Sequence, residues 1–190
     1  MKKKFKNEII ILSILSVLIV NSVWGAEVDE IFFEDSVVVD DTRLSKRGTG
    51  LYRYLGVIKA YVGALYVEDG KSTEDVLADT AKRLVLEYFH AIKGEDFGPA
   101  TNKLIAQNTD AKTLAKLRSR IEEHNALYND IMPGDRYSLT YVPGKGTELA
   151  LNGKPIGRIA GADFASALYA MWLGRNPMNS SFKRQLLGYP

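Results

Sequence analysis

Three side chains in one short stretch carry the chemistry this sequence can offer. Arg53, Lys59 and Tyr61 lie in Gly48–Val67, GTGLYRYLGVIKAYVGALYV, which otherwise holds small, β-branched and aromatic residues, with no acid and no Pro. Arg keeps its charge, so a guanidinium on a largely apolar strand needs a carboxylate, carbonyl oxygens or an anionic ligand. A structural ion pair, or a strand-edge position that reaches water, is the plain reading, and Glu87, in a neighbouring apolar run, is a reasonable partner for Arg53 or Lys59 if the strands pair. The sharper reading makes Arg53 an anion or carbonyl anchor at the floor of a pocket. Strict alternation puts Arg53, Leu55, Val57, Lys59, Tyr61, Gly63 and Leu65 on one face. Tyr52, Tyr54, Ile58, Ala60, Val62, Ala64 and Tyr66 fall on the other, uncharged face, expected to meet the core. A bulge, with Gly56 the candidate, would exchange the faces beyond it.

The stretch reads as one or two central strands, with Gly48 and Gly50 marking a turn or a close backbone approach. Before it, Ile31–Phe33 and Val37–Val39 read as a first strand or strand pair, and Asp40–Asp41–Thr42 as a turn. After it, Ser72 or Thr73 is expected to cap a short helix reaching Lys82, and Arg83–Ile92 reads as a strand. That strand holds His90, which has no companion at metal-ligand spacing and reads as a locally bonded core or edge residue. Gly94–Asn108 reads as a helix. A second opens at Thr109–Asp110 with a stripe of Leu114, Leu117, Ile121, His124, Tyr128 and Ile131. Three short strands follow, Arg136–Val142, Thr147–Leu151 and Pro155–Ile159, the last two joined by the hairpin signal Asn152–Gly153. A helix from Asp163 to a Gly174 cap and another over Ser180–Leu187 end the chain. The order predicts an α+β fold: an open-faced, largely antiparallel sheet covered on one face by helices, with room for a mainly apolar pocket between them.

The 190 residues, 46% hydrophobic, suit one domain over residues 26–190. Residues 1–25 have the pattern of a signal peptide: Lys2, Lys3, Lys4 and Lys6, the apolar run Ile9–Val20, then Ser22, Gly25 and Ala26, with cleavage expected after Gly25 or Ala26. The run is short for a span, which needs about 20 residues; an uncleaved anchor is the alternative to cleavage. A periplasmic or secreted location is therefore expected. The first 25 residues carry four Lys and one Glu of a chain whose net charge is +2, so the remainder is close to −1 and gives no argument for nucleic acid. The absence of Cys excludes disulfides and thiolate metal sites. No metal and no cofactor is expected.

The string GTGLYRYLGVIKAYVGALY, followed by Asp163–Phe164 and ALYAMWLG (Ala167–Gly174), resembles the bacterial chalcone isomerase-like family. That resemblance implies the sheet-and-helix fold of plant chalcone isomerase and its fatty-acid-binding relatives. It implies that Arg53 faces the cleft, and that Tyr61, beyond Lys59, joins Arg53 in holding a carboxylate. It places Phe97 and Leu104 where the plant enzyme uses a Tyr and an Asn; Asn102 and Asn108 are out of register. Ring closure of a chalcone needs donors for the developing enolate, and Phe and Leu offer none. The resemblance thus favours a non-catalytic binder of a fatty-acid-like or other amphipathic anion. An envelope interaction module without ligand, and an intramolecular lyase or isomerase with Arg53 as electrostatic catalyst, are the alternatives.

Overall fold

The computed structural model describes residues 25–28, 31–72 and 74–189. The expected signal peptide lies outside the described residues but for Gly25. The chain is organised by a seven-stranded sheet in which every neighbour is antiparallel and every strand lies beside its predecessor. Its strands are β3 (Ser36–Val39), β4 (Thr42–Tyr54), β5 (Ile58–Glu68), β6 (Lys82–Tyr88), β7 (Arg136–Val142), β8 (Gly146–Leu151) and β9 (Lys154–Ile159). A separate ribbon of β1 (Gly25–Val28) and β2 (Ile31–Glu34) precedes it. The helices α1 (Gly94–Asn108) and α2 (Ala111–Asn125) are inserted between β6 and β7; α3 (Ala162–Leu173) and α4 (Ser180–Leu186) follow β9. Among the described residues no helix is long and apolar enough to cross a membrane.

All four helices pack on one sheet face. Their buried residues, Ile105, Leu117, Ile121, Phe164, Leu168 and Phe182 among them, form one core with Tyr61, Leu65, Leu84, Leu86 and Leu139 of the strands. This is the α+β architecture expected from the element order. The other face is covered as well. Phe33 of β2 is buried there with Leu44, Val62, Ala64 and Tyr66, and the Arg136 guanidinium sits 5.2 Å from the Phe33 ring centre. The alternation along β6 shows both faces in one strand: Leu84, Leu86 and Tyr88 are buried on the helix side, whereas Arg83, Val85 and Glu87 on the other side are half-buried.

Helix ends follow local chemistry. The Asp110 side chain accepts from the backbone N–H of Lys112 and Thr113, both at 3.0 Å, and so caps α2. Helix α2 stops at Asn125, so Tyr128 and Ile131, the last residues of its expected stripe, lie in the loop beyond it. Gly48 and Gly50 mark a close approach. A Cβ on Gly48 would stand 2.1 Å from the carbonyl oxygen of Gln185, and α4 rests directly on β4.

Two local expectations are corrected. Between β5 and β6 there is a single 3-10 turn, Glu74–Leu77, rather than a helix reaching Lys82. Lys82 opens β6 and is fully buried, its Nζ donating to the Ala78 carbonyl at 2.6 Å. Glu87 does not reach Arg53 or Lys59. It is paired with Arg136, the residue facing it on β7, because β7 and not β4 lies on that side of β6.

Candidate functional site

The site begins where β4 and β5 leave the main body of the sheet. The two strands pair in register from Gly48–Leu65 to Tyr52–Tyr61, and then again at Arg53–Lys59 and Tyr54–Ile58. Ala60 is the extra residue. Because side chains alternate with a period of two, one unpaired residue exchanges faces. Before the bulge Tyr54 and Ile58 share a face with Tyr52; after it, Tyr61 takes that face, while Val62 turns to the other. Gly56 belongs to the hairpin turn, with φ of 77°, and is not the bulge.

The face so assembled lines a hollow of about 960 Å³ between the sheet and the helices. Its floor is Tyr61, Leu84, Leu86, Tyr88 and Leu139 of the strands; its roof is Phe97, Thr101 and Leu104 of α1 with Met171 and Trp172 of α3. The exposed residues at its edge are Tyr54, Ile58 and His90 on one side and Asp96, Ala100, Lys103 and Gln107 of α1 on the other, so the mouth lies between the β4–β5 hairpin and α1. Aromatic rings stiffen the wall. Tyr61 lies 4.9 Å from Tyr52 and 5.3 Å from Tyr88, and Phe97 stacks on Tyr128 at 4.7 Å with its edge contacts to Tyr88 and Tyr137.

Most polar groups in this wall are already committed. The Tyr61 hydroxyl accepts from Trp172 Nε1 at 3.2 Å and donates to Met178 Sδ at 2.8 Å. Burial raises its pKa far above the ordinary phenol value. The Tyr137 hydroxyl donates to the Asn129 carbonyl and accepts from the Asn129 N–H. Tyr128, raised to about 12 by burial, shares a 3.1 Å contact with His124 Nε2. Burial also pushes the pKa of Tyr88 well above the ordinary phenol value.

Of the three residues singled out in the sequence, only Tyr61 lines the hollow. Arg53 is exposed and Lys59 half-buried, and neither is part of the lining. They face each other across β4 and β5; the bulge at Ala60 separates them from Tyr61. Phe97 and Leu104 both line the hollow, whereas Asn102 bonds to Asn125 and Asn108 to Leu104 and Asn176 outside it. Sequence reasoning did not single out Tyr88 or Lys103; the alternation along β6 and the i, i+4 spacing of Leu104 from Ala100 were the available signals. His90 stands at the mouth with Nε2 donating to the Lys59 carbonyl at 2.9 Å.

The sequence pattern of the chalcone isomerase-like family matches residues 25–188 of this chain. The chain belongs to the chalcone isomerase-like family. Within the solved structures it is similar to the crystal structure of a fatty-acid binding protein from Arabidopsis thaliana, with a TM-score of 0.66 and 15% identity, over 87% of this chain and 96% of that one. At such identity the likeness establishes the shared fold. No curated protein sequence matches the chain. On this chalcone isomerase-like scaffold, the hollow described above is the cleft between sheet and helices that the fold makes available.

Proposed function

We propose that this chalcone isomerase-like chain binds an amphipathic, fatty-acid-like molecule, tail inward, and does no chemistry on it. The observation that carries the reading is the lining itself. About 960 Å³ is walled by aromatic and aliphatic groups, with Phe97 and Leu104 in place of donors, and the polar atoms of Tyr61, Trp172 and Tyr137 already have partners within the protein. Such a wall suits a hydrocarbon chain. Behind the mouth, where Lys103 stands, it offers an oxyanion intermediate no cation and almost no donor.

The head group belongs at the mouth for the same physical reason. A carboxylate beside Tyr88 would be desolvated without a cation, which costs several kcal/mol. At the mouth it stays hydrated, close to Lys103, His90 and Gln107. Tyr61 and Tyr88 then contact the chain of the ligand, and Arg53 and Lys59 act from outside the hollow. The neighbouring fold of a fatty-acid binding protein supports this ligand class. Export through the Lys-rich leader is part of the proposal, and cell fractionation with N-terminal sequencing of the mature chain tests it.

Native mass spectrometry of protein purified from cells should show a one-to-one adduct, or uptake of labelled fatty acid by the emptied protein. Leu104→Trp, which fills the hollow, should weaken uptake at least tenfold. Protein that emerges empty and takes up no labelled fatty acid overturns the reading.

A further inference from the structure

The turn between β4 and β5 is built against its own local chemistry. Three turns of the described sheet place two consecutive residues at positive φ: Asp40–Asp41 (47° and 63°), Leu55–Gly56 (51° and 77°) and Asn152–Gly153 (51° and 75°). Asn, Asp and Gly tolerate that region, whereas a branched apolar residue there is strained. The Asn152 turn shows what this chain uses when only the turn matters. At the same φ Leu55 is 76% exposed, so packing does not repay its strain.

Leu55 is not alone. Tyr54 is 54% exposed, Val57 73% and Ile58 46%, giving four large apolar side chains in water within five residues. Met132, also exposed, lies in a loop tied to the same end of the sheet by the Gly134 N–H donating to the Tyr88 carbonyl. Scattered exposed apolar residues are ordinary, but a contiguous cluster marks a contact surface. Two further features name the partner. Tyr54 and Ile58 belong at once to this tip and to the mouth of the hollow. Arg53, exposed at the base of the tip, sets a permanent cation just behind the apolar residues. Apolar side chains in front with a guanidinium behind them match the acyl boundary and the anionic head groups of a lipid surface.

We propose that the β4–β5 hairpin tip docks on an anionic lipid bilayer, with Leu55 and Val57 entering the acyl boundary and Arg53 among the head groups, so that the mouth meets the membrane from which the cargo comes. The inference extends the ligand-binding reading and rests on it for the cargo, though not for the docking. The hairpin closes before the next strand, so this is surface attachment and not a span.

The test is flotation of the mature chain, purified after removal of the leader, with vesicles of phosphatidylglycerol and phosphatidylcholine. The double variant Leu55→Asn with Val57→Thr removes the apolar tip, puts a residue that suits positive φ into the turn, and leaves the lining untouched. Wild-type protein should float, and the double variant should partition at least tenfold less while taking up labelled fatty acid from solution as wild type does. Arg53→Gln should lower partitioning into anionic vesicles about fivefold and blunt its sensitivity to salt. Wild-type protein that stays in the aqueous fraction overturns the proposal, as does a double variant that floats equally well. So does a wild-type dimer, lost in the double variant, that ignores vesicles, since the tip would then seat a second copy. Equal affinity for neutral vesicles overturns the role given to Arg53. Tip-dependent flotation of a protein that takes up no fatty acid supports docking and refutes the cargo.

Discussion

His124 and Lys82 are two buried titratable residues at which pH should act on stability. The His124 ring is fully buried against Tyr128 and Phe164, and its Nδ1 has no hydrogen-bond partner among the described residues. Burial lowers its pKa to about 4. The unfolded chain takes up this proton near pH 6.5, the folded chain only near 4, so stability falls as the pH drops through that interval, by up to about 3 kcal/mol. Urea midpoints at pH 7, 5.5 and 4.5 should drift downward in wild type and drift less in His124→Gln; parallel profiles would refute the assignment. Lys82 works at the alkaline side. Its Nζ lies 5.0 and 5.6 Å from the ring centres of Tyr141 and Tyr169, and burial lowers its pKa to about 8, against the pull of Asp79. Between pH 8 and 10 the unfolded chain holds the extra proton, so stability should rise, by about 1–3 kcal/mol. Lys82→Met should be neutral or stabilising at pH 7 and should abolish that rise.

The contact of α4 with β4 is the element whose disruption is easiest to foresee. Gly48 and Gly50 leave room for the helix, and the Gln185 side chain accepts from the Leu51 N–H at 3.0 Å. Gly48→Ala forces a Cβ against backbone at 2.1 Å, which a side-chain rotation cannot relieve. The variant should lose about 1–3 kcal/mol in denaturant unfolding, with α4 lifted from the sheet. An unchanged midpoint would mean that α4 is not held there. Asp110→Ala, by contrast, removes only the cap of α2 and should cost about 1 kcal/mol.

At the scale of the molecule, a binder whose hollow exists before its guest arrives should be stabilised by mass action. A fatty acid at a hundred times its dissociation constant adds about 2.7 kcal/mol. Melting temperatures should therefore climb with added fatty acid in wild type and stay level in Leu104→Trp. The sheet is also clamped from both sides, by the helices on one face and by Phe33 of the β1–β2 ribbon on the other. The open-faced picture drawn from the sequence allowed for the helices alone, because an apolar β2 four residues long carries no sign of which face it will cover.

The sequence by itself determined what neighbouring residues decide among themselves. The limits of α1, the opening of α2 at Thr109–Asp110 and the Asn152–Gly153 turn were all legible, since each depends on hydrogen bonds or dihedral angles within a few positions. The order of the elements, and with it the α+β class, followed from hydrophobic periodicity and family pattern. Only the tertiary structure decided where the cations point. One unpaired residue, Ala60, turns Tyr61 into the hollow and leaves Arg53 and Lys59 on the far face. No local signal marks that residue, because a bulge is set by the pairing of two strands and not by the residues of one.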